Sequence, residues 1–320
     1  MSRSGNHPRS HWTGRSLGKR WQHAFFYGLI RLGGRRAAYA FLVFVICAYM
    51  FKSDAAKLCR PYLSRRFPDA GPGIGKGSAF GHRWLLQWEL GKALVDRAAA
   101  GIAADARFGM DAAEEDALRA LHAEGRGLIL LASHVGCWHI SIAELPNILP
   151  GPANVVMFRA EGDYDRQYYE HNGDTPPVAF IDAAMGPRSA IAMAACLQRG
   201  ETLCLMGDRP LGDARVCGAR FLGGDIHVPY TAFHLASVSG APIAVFFALR
   251  TGPGAVRHTL AKVIRVPGCL GKSPEAYEPY AGMYAEALER LVAAYPYQFF
   301  NLYDMWDTDG HQDQTETSAD

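Results

Sequence analysis

Gly127-Leu-Ile-Leu-Leu-Ala-Ser133, followed directly by His134-Val-Gly-Cys-Trp-His139, decides the fold of this chain. A short Leu/Ile-rich run opened by glycine reads as a parallel strand buried on both faces. Such a strand ending in Ser-His carries an imidazole to the carboxyl edge of the sheet, where open α/β folds bind their ligands. Histidine is the side chain best suited to move a proton near neutral pH. Trp138 to Leu145 reads as the helix leaving that edge, with Pro146 as its stop.

Working outward, strand-like runs recur at Ala153 to Phe158, Pro177 to Ile181, Thr202 to Met206 and Pro242 to Leu249. Between them lie Pro187 to Arg199, a helix with proline at its start and Gly200 beyond its end, and Tyr230 to Val238, capped by Gly240. Upstream, Asp111-Ala-Ala-Glu114 has the spacing of a capping box and opens a helix ending near Gly125. The alternation predicts an α/β fold with a mainly parallel central sheet covered by helices. Val256 to Val266 follows a Gly-Pro-Gly turn and is expected to pair antiparallel at an edge. Pro274 to Tyr295 is expected to be one long amphipathic helix. The organisation read from the sequence is a mobile basic segment (1–20), N-terminal membrane-associating helices (21–70), an α/β domain (78–306) and a disordered acidic tail (307–320). Gly71-Pro-Gly-Ile-Gly-Lys-Gly77 joins the second and third as a linker. It lacks the Gly-Lys-Ser/Thr of a phosphate loop, and no strand precedes it.

Charge is unevenly distributed. Residues 1–66 hold 13 Lys and Arg against one acid, Asp54, for a net +12, whereas the remainder carries −10. A basic segment of this kind seeks an anionic partner. Ala37 to Phe51, 15 residues without a charge and flanked by Arg35, Arg36 and Lys52, points to lipid rather than nucleic acid. That length falls short of the roughly 20 residues a spanning helix needs, so the run is either a core helix or, as the flanking charges favour, a helix lying in the membrane interface. The seven cysteines form no Cys-x-x-Cys pair and read as small hydrophobes in a reducing compartment.

Polar residues follow the other strands as His134 follows the first. Arg159 comes directly after Asn154-Val-Val-Met-Phe158, Asp182 after Val178-Ala-Phe-Ile181, and Gly207-Asp208-Arg209-Pro210 after Thr202-Leu-Cys-Leu-Met206. Ends of parallel strands converge on one crevice, so a proton shuttle, cations and carboxylates are expected to meet there.

In order and spacing these segments resemble the lysophospholipid acyltransferase superfamily, in particular its branch of bacterial lipid A late acyltransferases. Ser133-His134-Val-Gly-Cys-Trp138-His139 is similar to that branch's Ser-His-x-Gly-Asn-Trp-Glu segment, a form of the His-x4-Asp/Glu motif. Arg159 falls at the second motif block, Met206-Gly-Asp208-Arg209 at the third, and Gly240-Ala-Pro242-Ile before the fourth-block strand. Leu32-Gly-Gly-Arg35-Arg36, Ala48-Tyr49-Met-Phe51 and Tyr297-Gln-Phe-Phe-Asn-Leu-Tyr-Asp-Met-Trp306 are similar to the branch's flanking landmarks.

The resemblance implies transfer of a fatty acyl group from an acyl-carrier-protein or coenzyme A thioester to a hydroxyl of a lipid or glycolipid. The reaction would take place at the cytoplasmic face of a bacterial inner membrane, with no metal or other cofactor. His134 would be the general base, and Arg159, Arg209, Asp208 and Asp182 would line the substrate site. One departure stands out: the motif acid is His139. Its neutral imidazole could orient His134; Glu144, Asp182 or Asp208 could replace the acid; or the chain could bind lipids or partners without catalysis. A zinc site on His134 and His139 is disfavoured because their five-residue step is not the helical i, i+4 spacing. A serine hydrolase is disfavoured by the lack of Gly-x-Ser-x-Gly.

Overall fold

The computed structural model describes residues 20–51, 53–73, 75, 77–103, 105–157, 178–210 and 214–306. The expected mobile N-terminus and acidic tail lie outside them. The centre is a seven-stranded sheet in the order β1-β9-β8-β2-β5-β3-β4. Its strands are β1 (Arg107–Gly109), β2 (Leu128–Ala132), β3 (Ala153–Met157), β4 (Val178–Asp182), β5 (Thr202–Met206), β8 (Ile243–Gly252) and β9 (Ala255–Ile264). All neighbours run parallel except β8 and β9. The fold is therefore α/β with a mostly parallel sheet. Strand β9 is antiparallel as its Gly-Pro-Gly turn predicts, but β1 pairs outside it, so it is not the edge. The hairpin β6 (Val216–Phe221) and β7 (Gly224–Pro229) forms a separate two-stranded sheet.

Strand periodicity splits β2 between two cores. Ile129 and Leu131 enter the larger one, with residues of α7 (Pro187–Gln198), α8 (Thr231–Ser239) and α9 (Glu278–Ala294). Leu128 and Leu130 enter the other, with residues of α4 (Ala112–His122), α5 (Trp138–Ser141) and α6 (Leu145–Ile148). Burial of both faces is why β2 reads as an unbroken apolar run. Pro146 does not stop the chain after β2: a single 3₁₀ turn links α5 to α6, and the proline sits in the first turn of α6, where its missing N–H costs nothing. Similarly, Pro274–Tyr277 is a 3₁₀ turn ahead of α9 rather than part of it. Asp111 caps α4 by accepting from Ala113 N at 3.0 Å, but Glu114 turns away to accept from Leu260 N at 3.1 Å, so the reciprocal half of the capping box is absent.

The N-terminal region is α1 (Arg20–Met50), α2 (Ser53–Arg66) and α3 (Ala79–Ala103). Gly34, at φ 67° and ψ −174°, folds α1 back on itself. The Phe25 and Phe41 rings lie 4.7 Å apart, whereas 16 residues of straight helix would separate them by about 24 Å. Ala38, Leu42, Ile46 and Met50, at i+4 spacing, bury one stripe of this hairpin against Val95 and Ala99 of α3. Its outward face leaves Phe25, Phe41, Phe44 and Phe51 exposed, the last two by 70% and 87%. Among the described residues no helix is long and apolar enough to cross a membrane.

Candidate active site

Strands β2 and β5 pair in register, with Ala132 opposite Met206. His134 and Asp208 each stand two residues beyond that pair, so the register itself brings them together. His134 Nδ1 lies 3.0 Å from both carboxylate oxygens of Asp208, and His134 N donates to Oδ2 at 3.2 Å. Asp208 is fully buried, while the His134 side chain keeps 18% of its surface exposed. Burial pushes the Asp208 carboxyl up, but His134, by charge and hydrogen bond, and then Arg209 outweigh it and hold the carboxyl below its usual value. The carboxylate is therefore ionised and fixes the imidazole proton on Nδ1. Nε2 is left as the lone-pair nitrogen, which is the base-competent tautomer.

The His134 loop is held from both sides. Phe300 N donates to His134 O at 2.8 Å, Gly136 N to Gln298 O at 2.8 Å, and Cys137 N to Ala248 O at 2.8 Å. Gly136 has φ 55°, and a Cβ there would run into Ala248 O and lie 2.9 Å from Gln298 Oε1, so only glycine fits. Behind the site, Tyr284 of α9 shares a 2.6 Å hydrogen bond with Ser133 Oγ, and Tyr303 OH donates to Asp208 O at 2.8 Å.

The other expected site residues are placed unequally. Arg209 is buried beside Asp208, with its guanidinium 5.2 Å from the Tyr303 ring centroid. Arg159 lies outside the described residues, two positions past the end of β3. Asp182 does not join His134: β4 stands three strands from β2, about 14 Å away. Its carboxylate accepts from Ala184 N at 2.9 Å and starts a 3₁₀ turn. Glu144 accepts from Asn147 Nδ2 at 3.1 Å within its own turn.

His139 stacks on Trp138 with centroids 3.5 Å apart, and Trp138 meets His134 edge-on at 5.4 Å. Burial pushes the His139 imidazole well below the usual histidine range, and Arg97 and His134 push it the same way. It is thus neutral at pH 7 and cannot supply the negative charge of the motif acid. Arg97 reaches this corner from α3, a residue without any signal in the sequence beyond its place on an amphipathic helix. Tyr303 and Gln298 do carry a sequence signal, because both lie in the aromatic segment Tyr297 to Trp306.

No protein-family model matches the chain, and no characterised protein matches its sequence. A partly exposed imidazole backed by an ionised, buried carboxylate can take a proton from a hydroxyl, and the carboxylate stabilises the resulting imidazolium. Among the described residues no group of His, Cys, Asp and Glu is arranged to hold a metal ion.

Proposed function

We propose that the chain is a membrane-associated O-acyltransferase that moves a fatty acyl group from an acyl-carrier-protein or coenzyme A thioester to a hydroxyl of a lipid or glycolipid. The observation that carries this reading is the Asp208 carboxylate at 3.0 Å from His134 Nδ1. It supplies the negative charge that His139 lacks, from the strand next door.

In the reaction, His134 Nε2 takes the acceptor hydroxyl proton as the oxygen attacks the thioester carbonyl. Asp208 stabilises the imidazolium. The C–S bond then breaks, and the leaving thiolate takes the proton back from His134, giving an ester and a free thiol. Binding both substrates in one crevice supplies the orientation. Arg209, and Arg159 by the motif resemblance, would meet acceptor phosphate or charge on the carbonyl oxygen.

Peripheral attachment to the cytoplasmic face of a bacterial inner membrane is part of the proposal. It is supported by the exposed Phe25, Phe41, Phe44 and Phe51 next to a basic N-terminal segment.

The test is to incubate the protein with acyl-carrier-protein and coenzyme A thioesters plus extracted membrane lipids and to weigh the lipid products. A mass gain of one acyl group, lost in His134→Ala, is expected. Lipid binding without product across the whole donor and acceptor panel would favour the non-catalytic alternative. Release by alkaline high-salt washing checks the attachment: protein retained entirely in the membrane would contradict peripheral binding.

A further inference from the structure

The His134 loop is braced by Gln298, and Gln298 is in turn locked to a charged cluster in the N-terminal region. The Gln298 side-chain amide acts like a strand partner for the backbone of Arg250: Arg250 N donates to Oε1 at 2.8 Å, and Nε2 donates to Arg250 O at 2.9 Å. The backbone oxygen of the same glutamine accepts from Gly136 N at 2.8 Å. One residue thus ties the end of β8 to the loop that carries His134.

The Arg250 side chain points the other way. Its Nε donates to Asp96 Oδ2 at 2.6 Å and its Nη2 to Tyr39 OH at 2.9 Å. Asp96 Oδ1 also accepts from Tyr39 OH and from Gly254 N at 3.1 Å, and it forms an ion pair with Arg35, whose Nε lies 3.2 Å away. Arg35 and Tyr39 belong to the hairpin of α1, and Asp96 to α3. Hydrogen bonds therefore run without a gap from the hairpin through Asp96, Arg250 and Gln298 to Gly136.

We infer that Gln298 is a positioning residue for His134, acting through the Gly136 backbone and held in place by Arg250. Three features carry this. Gln298 is 91% buried, with both polar atoms of its amide used on one residue. The Gly136 backbone comes so close that a methyl group would strike the glutamine oxygen. His134 is pinned on the opposite side by Asp208, so a shift of the loop alters the one hydrogen bond on which its tautomer depends. The kinetic consequence rests on the acyl-transfer reading. The geometric consequence for the imidazole does not.

The test is Gln298→Glu, which keeps the length and the acceptor for Arg250 N but turns a carboxylate toward Arg250 O. It is read in two ways on the full chain. Steady-state transfer is expected to show kcat lowered about 10- to 100-fold with little change in KM, as for a small misplacement of a catalytic group. The downfield imidazole Nδ1–H proton signal of His134, assigned by its absence in His134→Gln, is expected to move or broaden. If Gln298→Glu does not fold, Gln298→Met, uncharged and of similar length, carries the same expectations.

A folded variant with wild-type kcat and an unmoved proton signal overturns the inference. So does a lower melting temperature with both readouts intact, which would make Gln298 merely structural. A shifted signal in a chain that transfers no acyl group from any donor upholds the positioning role and removes the acyl-transfer reading instead.

Discussion

Asp208 and Asp96 are both fully buried carboxylates at the rim of the same sheet, yet they are built for different work. Asp96 sits between two guanidiniums, Arg250 and Arg35, with Tyr39 and the Gly254 amide completing its partners. Guanidiniums stay charged at every physiological pH, so this cluster can only hold or break. Asp208 faces an imidazole that is partly open to solvent and can gain or lose a proton. A buried acid next to a permanent cation fastens elements together, whereas one next to a reachable histidine prepares a base.

Removing the acid is the strongest way to probe the fastening half. Asp96→Ala takes the nearest counter-charge from Arg250, leaving it Glu89 at 4.0 Å, while Arg35 keeps Asp105; about 3 kcal/mol of stability should be lost. Urea unfolding measures it; a loss under about 1 kcal/mol would mean that water already screens the cluster.

A buried histidine outside both clusters sharpens the contrast with pH. His258, whose Nε2 lies 2.9 Å from Ser141 Oγ, is pulled by burial down to about 4. Its folded value is lowered, so between about 6.5 and that value the unfolded chain binds the extra proton. Stability contributed there is complete above about pH 6.5 and lost as pH falls, by about 3 kcal/mol at pH 4. His258→Gln is expected to remove that much of the acid sensitivity in denaturation curves taken across the interval. An unchanged slope would place the sensitivity elsewhere.

The smallest effect is expected at Asp182. It ends β4 much as Asp208 follows β5, but its carboxylate caps a turn. Asparagine caps about as well as aspartate, so Asp182→Asn should change stability by a few tenths of a kcal/mol and leave transfer rates alone. A large loss of activity would bring β4 into the site.

This contrast also marks the limit of what the sequence made legible. The apolar run at 128–132, the strand ends and the caps are local signals, and they gave the parallel sheet and the candidate residues. Strand order is not local. Nothing within Val178–Asp182 tells that β4 lies three strands from β2 while β5 lies next to it. The β6–β7 hairpin escaped because its turn is Leu222-Gly223, both at positive φ, where Asn-Gly is the usual signature. Strand β1, at three residues, is too short to show a period. That His139 stands where the resembled motif has an acid was plain in the sequence, and Asp208 was one of three carboxylates that could answer it. Only the register of β2 on β5 selects it.

The central claim is that Asp208, and not His139, completes the base. The most direct measurement is the acyl-transfer rate of the intact chain, Asp208→Asn and His139→Gln, side by side at pH 7.5 on one donor and acceptor pair. Asp208→Asn should fall by about 10⁴-fold, as when a hydrolase triad loses the carboxylate that fixes its histidine. His139→Gln should stay within about tenfold of the intact chain, since Nδ1 keeps its carboxylate. Near-normal transfer by Asp208→Asn together with collapse of His139→Gln would contradict the account.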